Sequence, residues 1–236
     1  APTAHYSMGG VVVEPESHST DVEGLYAAGE VTAGLHGANR LGGNSLTETI
    51  VFGRRAGEAA AKLSRERDVQ LRSRSVIEAA GEELDLFIEP GDEFARPLQR
   101  ALRNTMWERC GVVRKEEGLG NGLDEIDRIE GALGDVDVRP SSEGYVDLAH
   151  VLDLRAALVT GRATLLGALE RRETRGAHSR SDHPALDQAL EVNIRCELTT
   201  DGELKLSHEQ VPEVRDDLRQ WATPAEELNV TGRLVE

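Results

Sequence analysis

The chain has 236 residues, room for one large or two modest domains, and with aromatic residues at 3% its core must be aliphatic. A net charge of -16 excludes nucleic acid and anionic membrane surfaces as general partners, because most of the surface would repel them. Cys110 and Cys196 have neither metal-ligand spacing nor the density of a disulfide framework, so a reduced, cytoplasmic setting is expected.

In chain order, Val11-Val12-Val13 and Leu25-Tyr26-Ala27-Ala28 are short apolar runs between turn-prone residues, which predicts two buried strands of a nucleotide-binding domain. Leu46 to Leu63 has no proline and is rich in alanine, so it reads as a helix with Ser45 as its N-cap. Ser64 to Arg74 turns charged and loses the apolar rhythm, which marks a linker or a frayed helix end and places a domain boundary there. Helical spacing returns in Leu98, Leu102 and Met106 and in Leu123, Ile126, Ile129 and Leu133. Gly118 to Gly122 reads Gly-Leu-Gly-Asn-Gly in a polar stretch with no strand before it, a decoy for a dinucleotide fingerprint. From Asp147 to Arg172 two rows, 151/158/165 and 152/159/166, repeat every seven residues as the seam of a helix packed nearly antiparallel to its neighbours. Arg155 and Arg162 interrupt this most apolar helix, and no run approaches the ~20 residues needed to cross a bilayer. Val192, Ile194, Cys196 and Leu198 then alternate with polar residues, and Asp201-Gly202 precedes Leu204 and Leu206, a hairpin pattern. An acidic tail follows from Val211.

The expected fold is mainly α: a helical bundle preceded by the last strands and helix of an α/β domain, with a small β-hairpin near the C-terminus. The expected domains are 1–63, 64–190 and 191–236. Lysine occurs only at 62, 115 and 205, so arginine supplies nearly all the positive charge; a codon bias and adaptation to high salt both fit that composition.

The densest chemistry lies in His36-Gly37-Ala38-Asn39-Arg40-Leu41-Gly42-Gly43-Asn44-Ser45-Leu46. Glycines let backbone N–H groups approach a ligand that a Cβ would hold off, and Arg40 offers a planar fork matched to a carboxylate or phosphate. The following helix points its positive end back into this loop, so the segment reads as an anion site. Glu30, after Gly29 and a strand-like run, is placed to accept hydrogen bonds from ribose hydroxyls. His5 can donate to a carboxylate in either protonation state. Arg175, His178 and Arg180 read either as a basic patch or as a loop capping helix carbonyls.

Three motifs in order, His5-Tyr6-Ser7-Met8-Gly9-Gly10, Gly29-Glu30 and His36 to Leu46, resemble the end of the flavin domain in the flavoprotein subunit of succinate dehydrogenase and fumarate reductase. Thr174-Arg175-Gly176-Ala177-His178-Ser179-Arg180, with Asp182 and Pro184, resembles a second signature in that family's helical domain. The resemblance implies that His5 and Arg40 bind a dicarboxylate, and that Glu30, Ser45 and Leu46 contact FAD. It implies that electrons pass to an iron-sulfur subunit. Through membrane anchor subunits it also implies a peripheral place on the cytoplasmic face of the membrane. In the family the cap domain, its proton-donating arginine and the flavin-linking histidine lie upstream of the position of Ala1. The chain is therefore expected to be a piece of a longer enzyme, inactive alone, with no catalytic residue of its own. L-aspartate oxidase shares the histidine and arginine motifs and is the alternative enzyme. A non-catalytic helical module that docks a partner subunit is the alternative of another class.

Overall fold

The computed structural model describes residues 5–68, 73–139 and 145–221. Among them are five α-helices, α1 (Asn44–Glu66), α2 (Arg74–Asp85), α3 (Ala95–Arg109), α4 (Glu116–Ala132) and α5 (Val146–Glu170). Four short strands join them: β1 (Val113–Arg114), β2 (Ser179–Arg180), β3 (Val192–Leu198) and β4 (Leu204–Gln210). The chain forms two compact units, 1–86 and 87–236.

In the first unit the segments before α1 fold against one face of that helix. Glu48, Phe52 and Ala56 follow one another at four-residue spacing and so share a face. His18, buried at 5% exposure, stacks its ring 4.6 Å from that of Phe52 and bonds the Ala27 carbonyl through Nδ1 at 3.0 Å. The expected buried strands are a correction. Val11 pairs with Thr32 and Ser19 with Tyr26 through single bridges, and Val11, Val12 and Leu25 are 41%, 43% and 52% exposed. A strand buries both faces only inside a covered sheet, and one bridge supplies neither neighbours nor layers. The charged stretch expected to begin the boundary opens inside α1, which runs on to Glu66. Ser73 caps α2 by accepting from the Val76 N–H at 3.3 Å, and α2 lies in the same unit.

The second unit is a three-helix bundle. Leu98 and Leu102 of α3, Leu119, Ile126 and Ile129 of α4, and Val151, Leu154, Leu158 and Leu165 of α5 form its core, each at most 4% exposed. These side chains are aliphatic, as the scarcity of aromatics requires. Of the two seven-residue rows on α5, only 151/158/165 is fully buried; Leu152 and Val159 are 38% and 37% exposed. With α3 and α4 packed on it, a helix buries a single stripe, and the adjacent row falls at its edge. The Gly118–Gly122 stretch is a decoy, as expected. It lies inside α4, where Gly118, Leu119 and Gly122 are on the buried face.

The hairpin forms as expected, with Val192 opposite Gln210 and Leu198 opposite Leu204. It attaches at its base, since Val192 is 7% exposed while Leu198 is 53% exposed, and His208 Nε2 meets Glu170 at 2.9 Å. The acidic tail is described to Trp221, where Arg219–Trp221 makes one 3-10 turn; the rest lies outside the described residues. No described helix is long and apolar enough to cross a membrane.

Candidate functional site

The glycine loop delivers the chain into α1 through Gly43, whose φ of 85° and ψ of -22° are left-handed. Gly43, not Ser45, is the N-cap. A left-handed cap suits glycine and brings the helix start forward, leaving Ser45 inside the first turn with its carbonyl accepting from Thr49 Oγ1 at 2.9 Å. No side chain caps this end, and the first turn has no acidic residue. The first N–H groups of a helix have no acceptor within it, so the turn holding Ser45 and Leu46 presents donors and partial positive charge.

Beside it, Arg40 lies with its Cζ 4.6 Å from the centre of the Tyr6 ring. Its Nη1 donates to the Leu41 carbonyl at 3.0 Å, while its Nε is buried and has no hydrogen-bond partner among the described residues. Tyr6 in turn donates its hydroxyl to Glu48 Oε2 at 2.5 Å, and His36 Nε2 meets the same oxygen at 2.9 Å. The Tyr6 and His36 rings stand edge to face, 5.6 Å apart at 80°. Glu48 is 3% exposed. Burial alone would raise its carboxyl, but hydrogen bonds from Tyr6 and His36 outweigh that and hold it below the usual carboxylate range. The Tyr6 phenol is pushed up to about 12, first by burial and then by the adjoining Glu48, so it remains a donor.

Two links assemble the three motifs. Glu30 Oε1 accepts from the Ser7 N–H at 2.8 Å, and Tyr6 lies under Arg40, which brings residues 5–10, 29–30 and 36–46 together. His5 is exposed and precedes Tyr6; Glu30 is exposed; Ser45 is half-buried; Leu46 is 75% exposed. Tyr6 and Glu48 carry contacts that the reading by residue type did not assign. The signal for Glu48 was present: an acid in the stripe that continues into Phe52 and Ala56 has to be paired.

Arg175, His178 and Arg180 resolve as a structural knot. Arg180, at 1% exposure, donates Nη1 to the Ala168 carbonyl at the end of α5 at 2.7 Å and meets both oxygens of Asp182 at 2.8 and 2.9 Å. Asp182 also accepts from the first N–H of α4, that of Glu116, at 2.7 Å. The Arg180 fork, with that N–H, holds the Asp182 carboxyl well below the usual range. Glu173, fully buried, collects Arg171, Arg175 and the Asp187 N–H. His178 bonds the Arg171 carbonyl through Nε2 and receives Arg114 Nη1 at Nδ1, both at 3.0 Å, which fixes a neutral ring. Burial, then the surrounding arginines, push its pKa down to about 4. Glu116, Asp182 and His183 come within reach of a common ion, but the Asp182 carboxylate is already neutralised by Arg180.

Comparison with known proteins agrees with this division. The FAD-binding domain family matches residues 1–46, and the fumarate reductase flavoprotein C-terminal family matches residues 99–225. In Methanothermobacter marburgensis, one component of fumarate reductase (CoM/CoB) is 40% identical over 185 residues, 78% of this chain and 33% of that protein. L-aspartate oxidase of Acinetobacter baylyi is 36% identical over 201 residues, 82% of this chain and 34% of its own length. The structure of Mycobacterium smegmatis Sdh1 in complex with UQ1 superposes with a TM-score of 0.83 at 32% identity, over 92% of this chain and 37% of that one. The chain thus spans about a third of the length of the curated relatives it matches. The fold and these matches place the chain in a class of FAD-dependent flavoprotein oxidoreductases. More closely, the chain belongs to the succinate dehydrogenase and fumarate reductase flavoprotein family, of which it carries the end of the FAD domain and the helical domain.

FAD is the family's cofactor, and the donor set here fits it. An uncapped helix start without acidic residues, entered through a glycine cap, suits the electron-rich edge of a flavin ring, where Ser45 and Leu46 would hold it.

Proposed function

We propose that the chain is the C-terminal part of an enzyme that interconverts succinate and fumarate, with Arg40 and His5 binding the dicarboxylate and Glu30, Ser45 and Leu46 contacting FAD. The observation that carries this is Arg40: a guanidinium on an aromatic ring, with a buried Nε that has no partner among the described residues, next to a helix start that no described side chain caps. A fork with a donor to spare is suited to bidentate capture of a carboxylate. FAD, contacted by Glu30, Ser45 and Leu46, would supply the acceptor and donor of the hydride. The chain's own part is to hold the substrate carboxylate against Arg40, so that the reacting carbon stays aligned, and to keep negative charge stabilised at the start of α1. Transfer of electrons to an iron-sulfur subunit, and peripheral attachment to the membrane through anchor subunits, belong to this proposal; relatives named as subunits of fumarate reductase support assembly with partner chains.

A second reading, L-aspartate oxidase, is favoured by relatives of that name that match at 36% and 35% identity. Assays of the full-length flavoprotein with succinate, fumarate and L-aspartate separate the two. In the proposed enzyme Arg40→Lys keeps the charge and loses the planar fork, so kcat/KM should fall at least ~10-fold, about 1.4 kcal/mol, with FAD content unchanged by absorbance. Near-normal kinetics in that variant would remove Arg40 from the substrate site.

A further inference from the structure

Burying a carboxylate costs several kcal/mol unless donors surround it, so a buried acid in a helix stripe is held there by what it binds. Glu48 draws its donors from outside α1. Tyr6 belongs to the segment that carries His5, and His36 to the loop that carries Arg40; both converge on Glu48 Oε2, at 2.5 and 2.9 Å. The Tyr6 ring, anchored at its hydroxyl, is the surface on which the Arg40 guanidinium lies at 4.6 Å. Arg40 Nη1 bonds the carbonyl of the very next residue, a local contact that travels with the loop and cannot orient it.

We infer that Glu48 is a positioning residue for Arg40: by clamping Tyr6 and His36 to α1, it fixes the aromatic platform and the loop that aim the guanidinium at the substrate carboxylate. The inference rests on the reading of Arg40 as a substrate ligand. Glu48→Gln keeps the shape and removes the charge that holds two donors. Tyr6→Phe keeps the ring under Arg40 and removes only the tether.

The test is a mutant cycle in the full-length flavoprotein, with kcat and KM for succinate and fumarate measured beside flavin absorbance and melting temperature. Glu48→Gln should lower kcat/KM at least ~10-fold, chiefly through KM, with FAD retained, and Tyr6→Phe should lower it by a smaller factor in the same parameter. Combined with Arg40→Lys, either change should add no more than about a further twofold, because a group acting through Arg40 has nothing left to position. Multiplicative losses in the double variants, or unchanged KM in Glu48→Gln, would overturn the inference. Should Glu48→Gln lose flavin or fold poorly, the Tyr6→Phe and Arg40→Lys cycle decides alone, by the same criterion. An Arg40→Lys enzyme with normal KM would instead defeat the underlying assignment of Arg40, a result distinct from failure of the coupling.

Discussion

The two units of this chain use arginine in opposite ways. In the second unit Arg180 is buried and its guanidinium is spent, on the carbonyls ending α5 and on both oxygens of Asp182, which itself caps α4. In the first unit Arg40 rests on one aromatic face and keeps a buried Nε unpaired among the described residues. The helices differ likewise. Leu165 of α5 is fully buried, whereas Leu46 and Ile50 of α1 are 75% and 72% exposed. Around Arg180 the fold satisfies the polar groups it buries, whereas beside Arg40 the start of α1 leaves donors for something else to complete. The proposed site lies in the first unit, in keeping with the rule that a group already satisfied by the fold has nothing left to offer a ligand.

The sharpest way to break this comparison is to delete both arginines. Arg180→Ala strands Asp182 and the terminal carbonyls of α5 in a buried setting, so the protein should lose about 3–5 kcal/mol in urea unfolding followed by circular dichroism. Arg40→Ala removes a stacked cation from the half-buried loop and should cost about 1 kcal/mol or less. Equal losses would mean that Arg40 is a structural residue like its counterpart.

Acid is the next lever, and the signs all point one way. His178 has its pKa lowered from 6.5 to about 4, so the unfolded chain takes up a proton that the native state refuses. Its contribution is complete above about 6.5 and is lost as pH falls toward 4. Glu173, whose burial is outweighed by Arg175, the Asp187 N–H and Arg171, and Asp182, held by Arg180, have lowered carboxyls; their contributions are lost at still lower pH. Between pH 6.5 and 4 the stability of the second unit should therefore decline, by at most ~1.4 kcal/mol per pH unit for one proton, and His178→Asn should flatten that slope. An unchanged slope in the variant would show that the His178 ring is not held neutral by this packing.

The bundle was legible because periodicity reports burial directly: Leu98 and Leu102, Ile126 and Ile129, and Val151, Leu158 and Leu165 each mark a face that the structure covers. The hairpin was legible through its alternation and the Asp201-Gly202 turn. Where the reading failed, a second layer of partners was the missing term. Val11, Val12 and Leu25 are apolar enough for a strand, but a run of three or four residues does not say whether a sheet stands beside it. The Gly-Leu-Gly-Asn-Gly stretch is set aside as a fingerprint by its polar context, but only its position against Leu165 of α5 shows why Gly122 carries no side chain. At the site, loop composition pointed to Arg40 and the family resemblance implied His5, Glu30, Ser45 and Leu46, whereas the partner of the buried Glu48, the Tyr6 hydroxyl 42 residues away, shows only in the structure. Such long-range pairings leave little trace in local patterns.

A smaller effect than the loss of Arg180 separates two glycines of the first unit that share positive φ. At Gly10 an added Cβ would lie 2.2 Å from the Val31 carbonyl oxygen, so the fold itself excludes a side chain there. At Gly43 the Cβ would meet nothing within 4 Å, and the backbone angle is the sole obstacle among the described residues. Gly43→Ala should then cost only the left-handed strain, about 1–2 kcal/mol, visible as a modest shift of the urea midpoint. In the full-length flavoprotein the same methyl would stand at the mouth of the α1 donors, and FAD affinity should fall by more than the stability loss explains. A variant that loses stability as expected yet binds FAD normally would show that the flavin approaches α1 from elsewhere, and the open space beside Gly43 would then be a property of the loop rather than of the site.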